Sequence, residues 1–200
     1  TIGAIAGIVL GNNIGGGNKG RNQVIGAVAG AAVGGAIGYS MDNQAKEVAE
    51  SLNTNVNNNP TAALDPNQDL IVSNTDNYVK IMFRDDMMFE TNSENPTYAA
   101  GTKIAKITTV LQKYPNTLVQ VVGHTDSRGT HAYNLALSEK RATNVGNIIN
   151  STGIQNQIFS KGCSFDKPIA LNNSDANMGL NRRVEVYLYP NQQSVIDVCR

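Results

Sequence analysis

"TLVQVVGHTDSRGTHAYNLALSEKRA", residues 117–142, runs from an apolar β-branched stretch through a glycine-flanked polar turn into a helical pattern. "TLVQVV" has the composition of a strand, and "YNLALSEKRATNVGNIINSTG" that of a helix closed by Gly153. Asp126 then falls just beyond the carboxyl end of a strand, where open α/β sheets place their ligands. Gly123 and Gly129 on either side allow backbone conformations that other residues resist. On the helix, Asn134, Ser138 and Arg141 stand at i, i+4 and i+7 and share one face. Arg141 is therefore able to point back toward the turn that carries Asp126. Two readings stay open at this level. One is an internal Asp126–Arg141 salt bridge. The other is a cleft for a zwitterion, Asp126 accepting from an ammonium and Arg141 forking two donors onto a carboxylate.

Outward from this stretch, the pattern is globular from Asp69. "DLIVSNTDNYVKIMF" reads as a hairpin about the turn "SNTDN", and "NPTYAAGTKIAKITTVLQKYP" places Ile104, Ile107, Leu111 and Tyr114 at helical spacing before Pro115. "QIFSKGC" reads as a short strand, "SDANMGLNR" as a short helix and "RRVEVYLY" as an alternating strand. The order β-β-α-β-α-β-β predicts an α/β fold, a two-layer sandwich with helices on one face of a mixed sheet. The acidic residues of "RDDMMFE", Asp85, Asp86 and Glu90, read as a solvated loop edge before the first helix of this unit.

The N-terminal part differs in kind. Gly3, Gly7, Gly11 and Gly15 recur every four residues, and Gly26, Gly30, Gly34 and Gly38 repeat the spacing. Such a stripe lets a second backbone approach closely, as in packing between membrane helices. No charge occurs between Arg21 and Asp42, and the polar "NNIGGGNKGRN" separates two apolar segments. Residues 1–52 are expected to form a glycine-zipper helical hairpin that inserts in a membrane, oligomerises, or packs on itself in water. Within it Val48 and Leu52 continue one helical face toward solvent. "NTNVNNNPTAALDPNQ" reads as a linker, placing the boundary at residues 53–68; the globular unit is expected over 69–190, with a tail at 191–200. No charged leader precedes Thr1, and the abrupt start within an apolar repeat suggests a removed targeting peptide or a truncation.

Lysine plus arginine balance aspartate plus glutamate at 16 each, so no general attraction to nucleic acid is expected. Cys163 and Cys199 lack the spacing of a zinc site. They either remain two thiols or form one bridge, which by chain entropy contributes roughly 3 to 4 kcal/mol. His124, Asp126 and His131 form a weak metal signal, and no nucleophile with a supporting base stands out. A binding module without metal or cofactor is expected ahead of an enzyme.

"GHTDSRGTHAYNLALSEKRA", followed by "FDKPIA" and "NRRVEVYLYP", resembles the OmpA-like C-terminal peptidoglycan-binding domain over about residues 69–190. The resemblance implies that Asp126 binds the amine and Arg141 the carboxylate of meso-diaminopimelate in the peptide stem. It implies supporting roles for Thr125, Gly129, Asn134 and Arg182 or Arg183, only one of which faces the ligand if the strand has begun. The zipper segment is similar to that of outer-membrane lipoproteins of the same superfamily. The resemblance therefore implies a periplasmic-face protein of the outer membrane that tethers it to the wall, or a structural subunit of an envelope-spanning assembly, with homo-oligomer or complex partners. "KGCSFDKP" departs from the family pattern at Cys163, so a Cys163–Cys199 bridge would belong to this chain rather than to the family.

Overall fold

Alternation along "RVEVYLY" organises the molecule: Val184, Val186 and Leu188 are buried against helices, while Glu185, Tyr187 and Tyr189 turn to the opposite side of the sheet. The structure is a computed structural model that describes residues 37–91 and 93–200. The zipper repeats before residue 37 lie outside the described residues. Helix α1 occupies 37–51. It is followed by β1 (Leu70–Asn74), β2 (Val79–Arg84), α2 (Asp85–Met88), α3 (Tyr98–Leu111) and β3 (Leu118–His124). Then come α4 (His131–Ser151), β4 (Ile158–Gly162), α5 (Asp175–Asn181) and β5 (Arg183–Tyr189). The five strands lie in the order β1-β2-β5-β3-β4, parallel only between β3 and β4. This is the mixed sheet with a helical layer on one face that the pattern predicts.

Local chemistry sets the helix ends. Thr97 caps α3 by accepting from the Ala100 amide, and Thr130 caps α4 by accepting from the Tyr133 amide. That second cap starts α4 at His131, two residues before the apolar pattern does. Gly153, at φ +73°, follows its last turn. Helix α4 approaches the sheet where side chains are missing. A Cβ on Gly123 would collide with the Ser138 carbonyl, and one on Gly162 would collide with the Glu139 amide and the Ser138 hydroxyl. The helix thus rests nearly on the β3 and β4 backbones at the turn that bears Ser138.

Three sequence expectations are corrected. Val48 and Leu52 do not face solvent. With Met41, Ala45 and Ala49 they are buried in the core shared with Val72, Val79, Ile81, Leu111 and Leu188. The apolar stripe of α1 needed a partner, and the helical layer supplied it; Gln44 and Glu47 fix it further by bonds from Thr117 Oγ1 (3.0 Å) and Tyr114 Oη (2.8 Å). The assumed boundary at residue 52 therefore cuts through this core. Residues 53–68 are not a free linker either. Val56 bridges Val72, the Asn57 amide donates to the Val72 carbonyl, and Ala62 packs on Ile71 and Met82. Nor are residues 191–200 a loose tail, since Val195, Val198 and Cys199 cover Val122, Tyr187 and Tyr189 on the sheet face opposite the helices. Cys199 is bridged to Cys163 with a Cα–Cα separation of 5.2 Å.

Leu52→Ala should destabilise the fold by about 2 to 5 kcal/mol in denaturant titration, the range for buried leucine truncation. A change within about 0.5 kcal/mol, as for a solvated surface site, would contradict the burial of α1.

Candidate functional site

Strand order brings the site together. Strand β5 lies between β2 and β3 and runs against both, so the carboxyl ends of β2 and β3 flank the start of β5. The registers Arg84↔Arg183 and His124↔Arg183 leave the next residues of β2 and β3 beside Arg182. Asp85 lies on one side, its amide donating to the Arg182 carbonyl at 3.1 Å. The Asp126 turn lies on the other. Arg182 Nη1 reaches Asp126 Oδ2 at 2.9 Å, and its Nε stands 3.9 Å from Asp85 Oδ2.

Asp126 and Arg141 do not pair directly among the described residues. Arg141 forms an ion pair with Asp85, donates from Nε to the Ser93 carbonyl at 3.0 Å, and lies with its guanidinium carbon 4.6 Å from the Phe89 ring centroid. Asp126 is held by Arg182 and by Arg128, whose Nη2 is 2.7 Å from Oδ2. The result is a relay, Arg128–Asp126–Arg182–Asp85–Arg141, with three guanidiniums and two carboxylates. Asp175, 3.9 Å from Arg128, joins it at the exposed end, so three guanidiniums face three carboxylates.

The supporting residues hold the turn. Gly129 adopts φ +88°, and Asn134 Nδ2 donates to the carbonyls of Arg128 (2.8 Å) and Thr130 (3.2 Å). Asn134 therefore fastens the turn to the helix while Thr130 does the capping. The Thr125 amide donates to the Ser164 carbonyl at 2.9 Å, and the Ser164 amide donates to Ser138 Oγ at 3.1 Å. The Thr125 hydroxyl is buried beside Asp126 without a protein partner. Arg183 is not brought to the site. It turns to the opposite sheet face, where Nε donates to Glu185 Oε1 at 2.9 Å and Tyr187 Oη donates to Oε2 at 2.8 Å. His124, also on that face, has Nε2 3.4 Å from Glu185, too long for a good hydrogen bond, and burial pushes its pKa down toward the neutral ring. His131 pairs with Asp166 at 3.0 Å, so the two histidines and Asp126 are engaged separately.

Sequence reasoning missed two members of the relay. Asp85 was expected to be solvated, but it is mostly buried between Arg141 and Arg182. The strand order that puts it there leaves no local periodic signal. Arg128 was legible as a cation two residues from Asp126 within the same turn.

The two carboxyls are pushed in opposite directions. At Asp126 burial acts upward, but the side-chain and backbone hydrogen bonds of Arg128 and that of Arg182 outweigh it and hold the pKa below the ordinary aspartate value. At Asp85 burial dominates over the attraction of Arg141 and Arg182, and the pKa is raised. The stabilisation from ionised Asp126 is thus present above the ordinary aspartate range and lost as pH falls through its depressed value. Asp85 keeps its proton to a higher pH in the folded than in the unfolded chain, so its contribution is present below the ordinary aspartate range and lost as pH rises through its raised value. On acidification Asp85 should take up its proton before Asp126, as followed by carboxyl carbon NMR shifts. The reverse order would contradict the assigned pairing.

Residues 88–182 match the OmpA family, and residues 1–42 match the glycine zipper 2TM domain. The chain is 35% identical over 103 residues to probable lipoprotein YiaD of Escherichia coli, covering 51% of this chain and 47% of that one. It is 34% identical over 96 residues to the peptidoglycan-associated lipoprotein of Buchnera aphidicola, covering 48% and 54%. It thus spans about half the length of each. Among solved structures, the cell wall anchor of the T6SS from Pseudomonas aeruginosa superposes with a TM-score of 0.56 at 28% identity, over 62% of this chain and 90% of that one. The chain carries an OmpA-family domain preceded by a glycine zipper 2TM segment.

Proposed function

We propose that this protein binds peptidoglycan non-covalently through the meso-diaminopimelate of the stem peptide, and that it tethers the outer membrane, at its periplasmic face, to the wall. The observation that carries the reading is the relay itself. An acceptor for an ammonium, Asp126, and a donor fork for a carboxylate, Arg141, are fixed at the same end of one sheet with Arg182 and Asp85 between them. A diamino diacid offers both charges on one carbon, and the Arg141 fork suits its carboxylate end. Thr125, next to Asp126, ties the turn to Ser164 through its amide. Gly129 and Asn134 shape the turn, and Arg182 holds Asp126 ionised. The names of its relatives, a peptidoglycan-associated lipoprotein and a cell wall anchor, support the same ligand. No reaction is proposed, because Asp126, paired with two guanidiniums, is a poor proton carrier.

A second reading, a structural subunit of an envelope-spanning assembly, is favoured by the likeness to the wall anchor of a secretion system. In both readings the N-terminal segment engages the membrane or a partner, and the domain grips the wall.

Asp126→Asn and Arg141→Gln should each weaken co-sedimentation with purified sacculi by about ten- to a hundredfold, the worth of a charge-assisted hydrogen bond. Circular dichroism checks that each variant remains folded. Wild-type binding by both folded variants would refute the assignment. Isolation of the native protein from solubilised envelope, with mass measurement of the particle, separates the free tether from the assembly subunit.

A further inference from the structure

Both oxygens of Asp126 are already occupied. Oδ1 accepts from the Arg128 amide (3.0 Å) and from Arg128 Nε (3.2 Å). Oδ2 accepts from Arg128 Nε (3.1 Å), Arg128 Nη2 (2.7 Å) and Arg182 Nη1 (2.9 Å). An incoming ammonium can reach this carboxylate only by replacing a cation, and the two resident cations differ in how firmly they are held. Arg182 is largely buried, shares its guanidinium with Asp85, and has its backbone bonded on both sides, from its amide to Met178 and from the Asp85 amide to its carbonyl. The Arg128 side chain is 58% exposed, and among the described residues its only other acidic neighbour is Asp175 at 3.9 Å, itself 97% exposed. The Arg128 backbone, by contrast, is pinned, since Asn134 Nδ2 donates to its carbonyl at 2.8 Å. Its guanidinium can therefore leave by side-chain rotation alone, without remodelling the turn.

We propose that Arg128 is an internal competitor for the ammonium subsite: its guanidinium occupies Asp126 in the free protein and swings into solvent when a ligand ammonium takes its place. This rests on the zwitterion reading of the site and adds what sets its affinity. Every binding event exchanges one cation for another at Asp126, so the net gain is smaller than the ammonium–carboxylate contact alone. The exchange keeps the buried carboxylate paired throughout, which spares the cost of an uncompensated charge. It also favours ligands that offer a carboxylate to the rest of the relay along with their ammonium, because a bare amine must outcompete a fork that makes two bonds. The device thus filters for the diamino diacid against simple amines.

The test is isothermal titration of the full-length protein in detergent with free meso-diaminopimelate, comparing wild type, Arg128→Gln and Asp126→Asn. Arg128→Gln should bind about three- to thirtyfold more tightly, the lower end reflecting the solvent screening of an exposed partner. Asp126→Asn should lose binding. In parallel, the Nε–H resonance of Arg128 should move at saturating ligand to the position of an unpaired arginine. If wild type binds, Asp126→Asn does not, and Arg128→Gln binds equally or more weakly, the competitor role is overturned and the clamp stands. An Arg128 resonance unmoved at saturation overturns it as well. If neither wild type nor Arg128→Gln binds, the clamp and the competitor both fall.

Discussion

The contact between α4 and the backbones of β3 and β4 fixes everything at the site. Gly123 and Gly162 let the helix settle at Ser138 closer than any side chain would permit, and Ser138 in turn accepts from the Ser164 amide. Arg141 lies three residues further along the same helix, and Asp126 three residues beyond Gly123, in the turn that follows the strand. The distance between the two charged groups is thus set by a backbone-to-backbone contact, which has little freedom to drift. A methyl group at position 123 would move the helix and with it one half of the clamp.

What that contact positions is buried charge, and buried charge is costly unless paired. Strand order supplies the pairing. With β5 between β2 and β3, Arg182 serves the carboxylates at both strand ends, and Arg141 and Arg128 close the relay on either side. The same logic recurs on the opposite face of the sheet. There burial pushes Glu185 upward, but the attraction of Arg183 outweighs it and holds the carboxyl well below the usual carboxylate range. Neighbouring arginines in the sequence thus serve two separate networks, one on each side of the sheet. Arg182 works between Asp126 and Asp85, and Arg183 beside Glu185.

How much of this was legible in the sequence follows from the range of each interaction. Strand, turn and helix over residues 117–142 were readable because alternation, glycine punctuation and helical phase are local. So was the convergence of Asp126 and the α4 face. Asp85 was not, because it joins the site through sheet order, which depends on contacts about a hundred residues apart, such as Arg84 with Arg183. The face of α1 was read correctly as apolar and assigned to the wrong surroundings. Periodicity reports that Val48 and Leu52 need a partner, but it does not say whether that partner is solvent-facing neighbours, lipid or the sheet. The asparagine-rich stretch at 53–68 misled for a related reason. Its side chains bond to the backbone and to β1, as Asn58 does with Asn74, so low hydrophobicity did not mean a free chain.

The burial of α1 has a mechanical consequence for the proposed role as a tether. Asp42, the first charged residue after the uncharged stretch that follows Arg21, already accepts from Asn74 Nδ2 at 2.6 Å, at the end of β1. Met41, one residue earlier, is in the core. The folded domain therefore already includes Met41, at the end of the uncharged stretch. A tether with a free linker of sixteen residues would let its domain search a sphere of roughly 20 Å or more. Here the domain is joined to the preceding segment through a helix docked in its own core. Force applied at the site therefore passes into α1 through buried side chains rather than being absorbed by residues 53–68. Unfolding of that connection requires loss of the core contacts of Met41, Ala45, Val48 and Leu52 together, which makes it cooperative with the domain.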